Sequence, residues 1–292
     1  MSDSSEAGQP GGVTVLDRET VLIRYNEATR VLWGDETCHQ VSDWVYGKGE
    51  RIAPFMFSLR SGEYFKWSKK WKPRYDQHRL YYVLEGQLSI HDPETGEVAR
   101  ANAGEAIYWS GLRWHFGYNF GTTEALILEA VAPKERPPDM PEVEMSWEKP
   151  DLGEVVNGRY DLLGKWPAAR PAEHQKAWQE GSIMTLSQRD CLHMIAGDKT
   201  PLPVSLFVST EEMTVGTMDI LPGKIGDPET HPGDEALFVT QGRLNVYLSD
   251  SDDWYELNRM DTLYLPEGTP HQYANMTDSP AAFFFAVAPR YR

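Results

Sequence analysis

Four side chains late in the chain have the types and spacing of a metal-binding set: Glu229, His231, Glu235 and His271. Residues two apart on a strand share a face, so Glu229 and His231 point the same way, and Glu235 keeps that parity. His271 follows a Pro-Glu-Gly-Thr-Pro turn and arrives from a later strand. Two imidazoles and one or two carboxylates that converge inside a small β-rich unit are typical of a site for a divalent transition metal.

Glu229 has more than one role open to it, and the role affects the choice of metal. His231, Glu235 and His271 alone form a set of two histidines and one carboxylate, which suits non-haem Fe(II). Adding Glu229 puts two negative ligands on one dication and favours Mn(II) or Fe(II), with Ni, Zn and Cu left open. Glu229 is alternatively a catalytic base beside the metal, or a solvated loop carboxylate. We predict one divalent metal per chain, with Glu229 as ligand and catalytic residue.

The chain contains an internal repeat with a constant offset of 156 residues (242 − 86 = 156). Gly86 matches Gly242, His115 matches His271, and the Ala-Val-Ala-Pro at 130–133 recurs at 286–289. The register holds without a gap over about fifty residues, which is longer than chance similarity would keep it. The sequence therefore predicts a tandem duplication of one β-rich unit.

The first copy has lost most of the metal-ligand types. By the same offset Arg79 stands where the second copy has Glu235, and Tyr75 stands where it has His231. His115 alone keeps a ligand type at an equivalent position. Asp76 and His78 lie in the same loop, so a local shift in register that brings them to His115 is the alternative. We predict a degraded metal site in this copy.

Short apolar runs such as 81–84 and 236–239, separated by many of the 24 glycines and 20 prolines, predict strands of an all-β fold. One helix is predicted at 171–180, where Pro171 opens a run of good helix formers. The predicted organisation is a disordered tail at 1–12, a first barrel at 13–135, a connector with the helix at 136–190 and a second barrel at 191–292.

The spacing in the second copy resembles the two signature motifs of the cupin superfamily. The matching positions are Gly223, Glu229, His231, Glu235 and Gly242 in the first motif, and Met260, Pro266, Gly268, His271 and Asn275 in the second. Glu229 replaces the first histidine of that family pattern, and Met260 replaces a glycine. The resemblance implies a bicupin, in which two tandem barrels of the double-stranded β-helix or jelly-roll type are joined by the connector.

Composition excludes several partners. A formal net charge of −16 argues against nucleic acid and against anionic membranes. Two cysteines, Cys38 and Cys191, cannot form a disulfide framework, and residues 1–12 have no apolar leader, so we expect a cytoplasmic protein. For the cationic run 66–74 we favour contact with acidic surface of this chain or of a second copy, and the alternatives are a solvated rim and a funnel for an anionic ligand. We expect a small-molecule substrate and leave a homodimer open.

The resemblance implies metal-based chemistry without choosing the reaction, because cupins are functionally diverse. Our leading hypothesis is a dioxygenase that cleaves a C–C bond in a small aromatic or enol-type substrate. The alternative enzyme is a non-redox isomerase or lyase, in which the metal polarises a carbonyl and Glu229 moves a proton. The alternative from another class is a non-catalytic cupin that binds a small molecule.

Overall fold

The chain is built almost entirely of β-strands. The computed structural model describes residues 13–133 and 183–292, and within them the one helical element is a single 3-10 turn at Gln188–Asp190. No helix in the described ranges is long and apolar enough to cross a membrane. The helix predicted at 171–180 and the tail predicted at 1–12 lie outside the described residues.

The first fifteen strands all lie within residues 13–133, which we call the N-terminal half. They are β1 (Val15–Leu16), β2 (Val21–Ile23), β3 (Thr29–Asp35), β4 (His39–Val45), β5 (Lys48–Gly49), β6 (Phe55–Leu59), β7 (Tyr64–Phe65), β8 (Arg74–Asp76), β9 (His78–Glu85), β10 (Gln87–Asp92), β11 (Glu97–Asn102), β12 (Ala106–Trp109), β13 (Leu112–Trp114), β14 (Phe116–Tyr118) and β15 (Ala125–Ala132).

The remaining ten strands lie within residues 183–292, which we call the C-terminal half. They are β16 (Met184–Leu186), β17 (Leu192–Ala196), β18 (Leu202–Ser209), β19 (Thr214–Ile220), β20 (Asp234–Gln241), β21 (Arg243–Leu248), β22 (Asp253–Asn258), β23 (Thr262–Leu265), β24 (His271–Ala274) and β25 (Ala281–Ala288).

Each half pairs a seven-stranded sheet with a smaller one. The N-terminal sheets have the orders β16-β12-β9-β15-β6-β4-β3 and β11-β10-β14-β7. The C-terminal sheets have the orders β17-β18-β19-β25-β20-β23-β2 and β22-β21-β24. Two short pairs, β1 with β5 and β13 with β8, complete the described strands.

The central strands are continuously apolar because both of their faces are buried. In β25, Phe283 and Phe285 pack inside the C-terminal half, while Phe284 packs into a core shared by the two halves. That shared core joins the seven-stranded sheets: the ring of Tyr82 in β9 lies 5.3 Å from Phe284 and 5.7 Å from Phe207. Alternation along each strand thus divides its side chains between an inner core and the contact between halves.

The two halves exchange edge strands. Strand β2 pairs antiparallel with β23 in the C-terminal sheet, where Leu22 is opposite Leu263. In return β16, from the segment that precedes the second copy, pairs with β12 in the N-terminal sheet, where Thr185 is opposite Ile107. The exchange crosses the segment boundaries predicted from sequence, and no sequence pattern had indicated it.

Matching backbone conformations give the repeat a physical basis. Gly86 has φ +75° and Gly242 has φ +69°, and an added Cβ would lie 2.5 Å and 2.4 Å from carbonyl oxygens of neighbouring turns. Gly104 has φ +85°, and its counterpart at the same offset, Met260, has φ 72°. Met260 therefore adopts the left-handed conformation that the motif glycine would supply, at a steric cost.

Candidate metal centre

The backbone of the segment 224–233 is held against strand β24 and the turn before it. Glu229 and His271 exchange backbone hydrogen bonds: Glu229 N donates to His271 O at 2.8 Å, and His271 N donates to Glu229 O at 3.0 Å. The carbonyl of His231 accepts from Gly268 N at 2.9 Å. Glu235 enters from β20, whose register places it opposite Leu265 of β23. Strands therefore position Glu235 and His271, while an isolated bridge and a turn hydrogen bond position Glu229 and His231.

These four side chains come together in a buried cluster. Glu235 Oε2 lies 3.5 Å from His231 Nε2 and 3.5 Å from His271 Nε2. Glu229, His231 and His271 each offer a ligand atom within 4.8 Å of the others, and they form the one such group of three in the described parts of the chain. His231 is 4% exposed, and Glu235 and His271 are each 1% exposed.

Backbone carbonyls orient both imidazoles. His231 Nδ1 lies 3.1 Å from the carbonyl oxygen of Tyr291, and His271 Nδ1 lies 2.9 Å from that of Thr269. Because a carbonyl oxygen only accepts, each Nδ1 carries the proton and each Nε2 presents a lone pair to the cluster. This is the tautomer and orientation of metal-ligating histidines. Burial is the main cause that lowers the pKa of His231 to about 3 and of His271 to about 4, so both rings are neutral at pH 7.

The carboxylates are held in an environment that disfavours their charge. Burial, followed by the charge of nearby Glu229, raises the pKa of Glu235 to about 8, although a hydrogen bond from Tyr273 acts in the opposite direction. Burial also raises the pKa of Glu229. A cation between the two carboxylates would remove the repulsion and favour both charged forms.

The cluster has more acceptors than donors. The Tyr273 hydroxyl lies 2.8 Å from each oxygen of Glu235 and 2.9 Å from His271 Nε2, yet it has one proton to donate. His231 Nε2 is buried and has no hydrogen-bond partner. Buried acceptors without donors are destabilising unless something positive binds them. The donor set of imidazole nitrogens and carboxylate oxygens therefore fits a divalent transition metal.

Two tyrosines belong to this site although the sequence reasoning did not select them. Tyr273 lies two residues after His271 on β24, so strand parity could have placed it beside the ligand. Tyr291 is 2% exposed; its hydroxyl donates to Glu229 Oε2 at 3.0 Å, and its ring centroid lies 4.3 Å from that of His231. No spacing rule indicates a residue so close to the chain end.

Asn275, at the last motif position, holds a turn and is not a ligand here. Its amide nitrogen donates to the carbonyls of Ile220 and Ser279 at 2.9 Å and 2.8 Å. Its side-chain oxygen accepts from Thr277 N at 3.0 Å.

The N-terminal half does not gather the alternative ligands. His78 Nδ1 lies 2.7 Å from the Tyr108 hydroxyl, and Asp76, His78 and His115 form no group of three with ligand atoms in reach of one another within the described residues. At the position equivalent to Glu235, the Arg79 guanidinium forms an ion pair with Glu129. The Arg79–Glu129 ion pair therefore takes the position in the first copy that the candidate ligand Glu235 has in the second.

The cationic run 66–74 makes contacts within its own half. Lys66 Nζ lies 4.6 Å from the Tyr64 ring centroid, and the Arg74 guanidinium lies 3.7 Å from a carboxylate oxygen of Glu94. These contacts agree with the intramolecular alternative for this run.

Comparison with known protein families finds a match to the part of the chain that contains the four candidate ligands. Residues 216–287 match the family described as the cupin domain, a stretch that contains Glu229, His231, Glu235 and His271. No curated protein is similar enough in sequence to match this chain.

Solved structures share the fold over nearly the whole chain. A Pseudomonas aeruginosa protein described as glyoxylate-induced is 14% identical, with a TM-score of 0.64, over 98% of this chain and 95% of that one. Oxalate decarboxylase from Lactobacillus farciminis is 14% identical, with a TM-score of 0.59, over 94% and 88%. Oxalate decarboxylase from Bacillus subtilis, studied for its Mn(II) centres, is 13% identical, with a TM-score of 0.60, over 95% and 79%. The chain therefore shares its all-β fold with these solved structures.

Proposed function

We propose that this chain is a metal-dependent cupin enzyme that holds one divalent transition metal through His231, Glu235 and His271, with Glu229 beside it as a fourth ligand or as a base. The observation that carries the proposal is the orientation of the two histidines. Each donates Nδ1–H to a backbone carbonyl and directs Nε2 at a buried carboxylate, 3.5 Å away. A purely structural cluster would have no need of two imidazoles fixed in the ligand tautomer.

Fe(II) and Mn(II) are the metals we favour. Two carboxylates beside two imidazoles give a harder, more negative donor set than three histidines would. The Mn(II) centres named for the Bacillus subtilis oxalate decarboxylase are in keeping with this choice. Ni, Zn and Cu bind similar donors, so metal analysis of protein purified without added metal is the direct test.

For the reaction we favour oxygen-dependent C–C cleavage in a small aromatic or enol-type substrate. The metal, when bound, supplies a template and a redox centre for substrate and O2. His231, His271 and Glu235 hold it, and the Tyr273 hydroxyl fixes the Glu235 carboxylate at 2.8 Å. Glu229, hydrogen-bonded to the Tyr291 hydroxyl, is placed to take up or return a proton.

That same Glu229–Tyr291 contact also supports a second candidate, a non-redox isomerase or lyase. Proton transfer needs a group whose pKa is near the working pH, and burial raises the pKa of Glu229 toward that range. A requirement for O2 distinguishes the dioxygenase from the isomerase or lyase. With a panel of catechols and enediols, the dioxygenase is expected to consume O2 only when metal is bound. Turnover that persists without O2 would select the isomerase or lyase, and metal binding without any turnover would select a binding protein.

If Glu229 acts as a base rather than as a ligand, Glu229→Gln is expected to keep the metal and lose turnover, because His231, Glu235 and His271 hold the metal while the amide cannot accept a proton. We expect metal content near that of the wild type and turnover lower by about 10²-fold or more. Tyr291→Phe is the matched control, since it leaves the carboxylate and removes only its hydrogen bond. A loss of metal in Glu229→Gln would instead assign Glu229 as a ligand.

We further propose the bicupin arrangement, with barrels at 13–135 and 191–292 joined by the connector at 136–190. The support is that each half pairs a seven-stranded sheet with a smaller one, and that Gly86 and Gly242 occupy equivalent turns. A small-molecule substrate and a cytoplasmic location complete the proposal, and a homodimer is tested by solution mass.

A further inference from the structure

The N-terminal half contains a cavity of about 400 Å³ that is separate from the metal centre, since none of the four candidate ligands lines it. Cavities of this size hold small organic molecules. Most of the wall is apolar and aromatic, with Trp33, Phe57 and Phe65 among the lining residues. A few polar side chains interrupt this wall, and their arrangement indicates what the cavity can bind.

The cavity occupies the place in the first copy that the metal centre occupies in the second. Tyr75, Arg79 and His115 line it, and by the 156-residue offset they stand for His231, Glu235 and His271. Arg79 is fully engaged by its own chain: it pairs with Glu129 and donates to Gln77 Oε1 at 2.7 Å. An incoming anion would therefore have to displace Glu129 from the guanidinium, which disfavours an acidic ligand.

Asp43 is the polar group that lacks a partner. It lies on β4 between Val41 and Val45, which also line the cavity, and its register partner on β6 is Phe57. Among the described residues no cation lies within ion-pair distance of Asp43 and no donor hydrogen-bonds to it. The neighbouring charge that acts on it is that of Glu129, and burial together with that repulsion raises the pKa of Asp43 to about 8.

A neutral histidine lines the same cavity. His115 is 2% exposed, and its Nδ1 is buried without a hydrogen-bond partner. Burial, followed by the charge of Arg79, holds its pKa well below the usual range, so the ring is neutral at pH 7. Asp43, with its raised pKa, is also uncharged at pH 7 and becomes a carboxylate acceptor when it loses its proton.

The aromatic rings of the cavity wall suit a positive group. The Phe57 ring lies 6.0 Å from Phe65 and 5.1 Å from Tyr81, and both of these rings lie 6.1 Å from His115. An ammonium is attracted to the faces of such rings, and an apolar body fills the space between them.

We propose that the N-terminal half carries a second ligand site, which binds a small amine with an aromatic or apolar body. The ammonium takes the place of the proton on Asp43, which is released to solvent, and pairs with the carboxylate, while the body packs on Phe57, Phe65 and Tyr81. Lys48 and Arg51 also line the cavity, but Arg51 forms ion pairs with Asp234 and Glu267. The site needs no metal.

The test compares two probes of similar size and opposite charge, 2-phenylethylamine and 3-phenylpropanoate, by isothermal titration calorimetry on the full chain. We expect the amine to bind with a Kd of about 1 mM or tighter. The carboxylate is expected to bind at least about tenfold more weakly. Binding should be the same in metal-loaded and chelated protein, so a failed metal assignment would leave this result unaffected.

Asp43→Asn is expected to weaken amine binding by about tenfold or more while keeping the shape of the site. Glu36→Gln, which changes an exposed carboxylate on the adjacent turn, is the matched control and should bind like the wild type. The proposal is overturned if the carboxylate binds as tightly as the amine, if Asp43→Asn binds the amine unchanged, or if the amine does not bind at about 10 mM.

Discussion

His271→Ala is expected to leave the protein without its metal. The wild type should contain about one divalent metal per chain, and the variant less than about a tenth of that, because one of at most four protein ligands is gone. Elemental analysis by mass spectrometry after purification without added metal gives both values. His271 is 1% exposed at the start of β24, and its Nε2 lies 3.5 Å from Glu235, so alanine leaves that carboxylate facing a void.

The repeat supplies a matched control for this change. His115→Ala removes the equivalent histidine, which is 2% exposed, from the N-terminal half. We expect His115→Ala to keep the full metal content, since Phe65, Tyr81 and Trp109 surround His115 and, within 13–133 and 183–292, no metal-binding group of three includes it. Metal loss in His115→Ala with retention in His271→Ala would transfer the site to the other half, and two metals per chain would contradict the degraded first copy.

Asp43→Asn is expected to stabilise the unliganded protein, and to do so more at higher pH. The folded-state pKa of Asp43 is raised from 3.8 to about 8, so the folded protein holds a proton there that the unfolded chain releases. The free energy of unfolding is unaffected by Asp43 below about pH 4, and it decreases as the pH rises from there toward 8. An uncharged amide of the same shape removes that loss. We expect a gain of about 1–3 kcal/mol in the free energy of unfolding near pH 8.

Urea unfolding at about pH 5.5 and about pH 8.5 measures this effect, with the variant's advantage growing between the two. The charged and titratable groups that line the cavity with Asp43 are Lys48, Arg51, Tyr75, Arg79, Tyr81, His115 and Glu129, and the Arg79–Glu129 pair does not involve Asp43. Glu36→Gln, an exposed carboxylate, should show no such trend. A variant that is less stable than the wild type at both pH values would mean that the Asp43 carboxylate already has a partner.

The candidate metal ligands were predictable because β-structure imposes simple rules. Side chains at even spacing share a face of a strand, so Glu229, His231 and Glu235 were expected to converge, and the motif spacing added His271. In the structure Glu229 makes only an isolated bridge and His231 lies outside the strands, so loop backbone hydrogen bonds position these two residues. The same parity places Tyr273 beside His271 on β24. We did not select it from the sequence because a tyrosine is not a common metal ligand. Tyr291 was not predictable in this way. It follows β25, and its approach to the site depends on the path of the backbone after that strand, which no local sequence pattern describes.

The cavity in the N-terminal half was less accessible to sequence reasoning. Asp43 alternates with Val41 and Val45 in an ordinary strand pattern, so its parity alone puts a carboxylate on an apolar face. That signal is weak without the pairing of β4 with β6, which shows that the face encloses a space. Arg79 was recognised as the replacement for Glu235, but its ion pair with Glu129 depends on the register of β9 against β15.

The reciprocal pairing of β2 with β23 and β16 with β12 means that the two copies are not interchangeable modules. A gene fragment that ended after β15 would produce the N-terminal seven-stranded sheet without β16. Its β2 would also lack β23, the strand with which it pairs. The complementary fragment would lack the strand that covers β23, and exposed strand edges of this kind favour aggregation. A single proteolytic nick between the copies has a different result, because every strand remains available. The two pieces should stay bound and migrate together, as a heterodimer made from one gene.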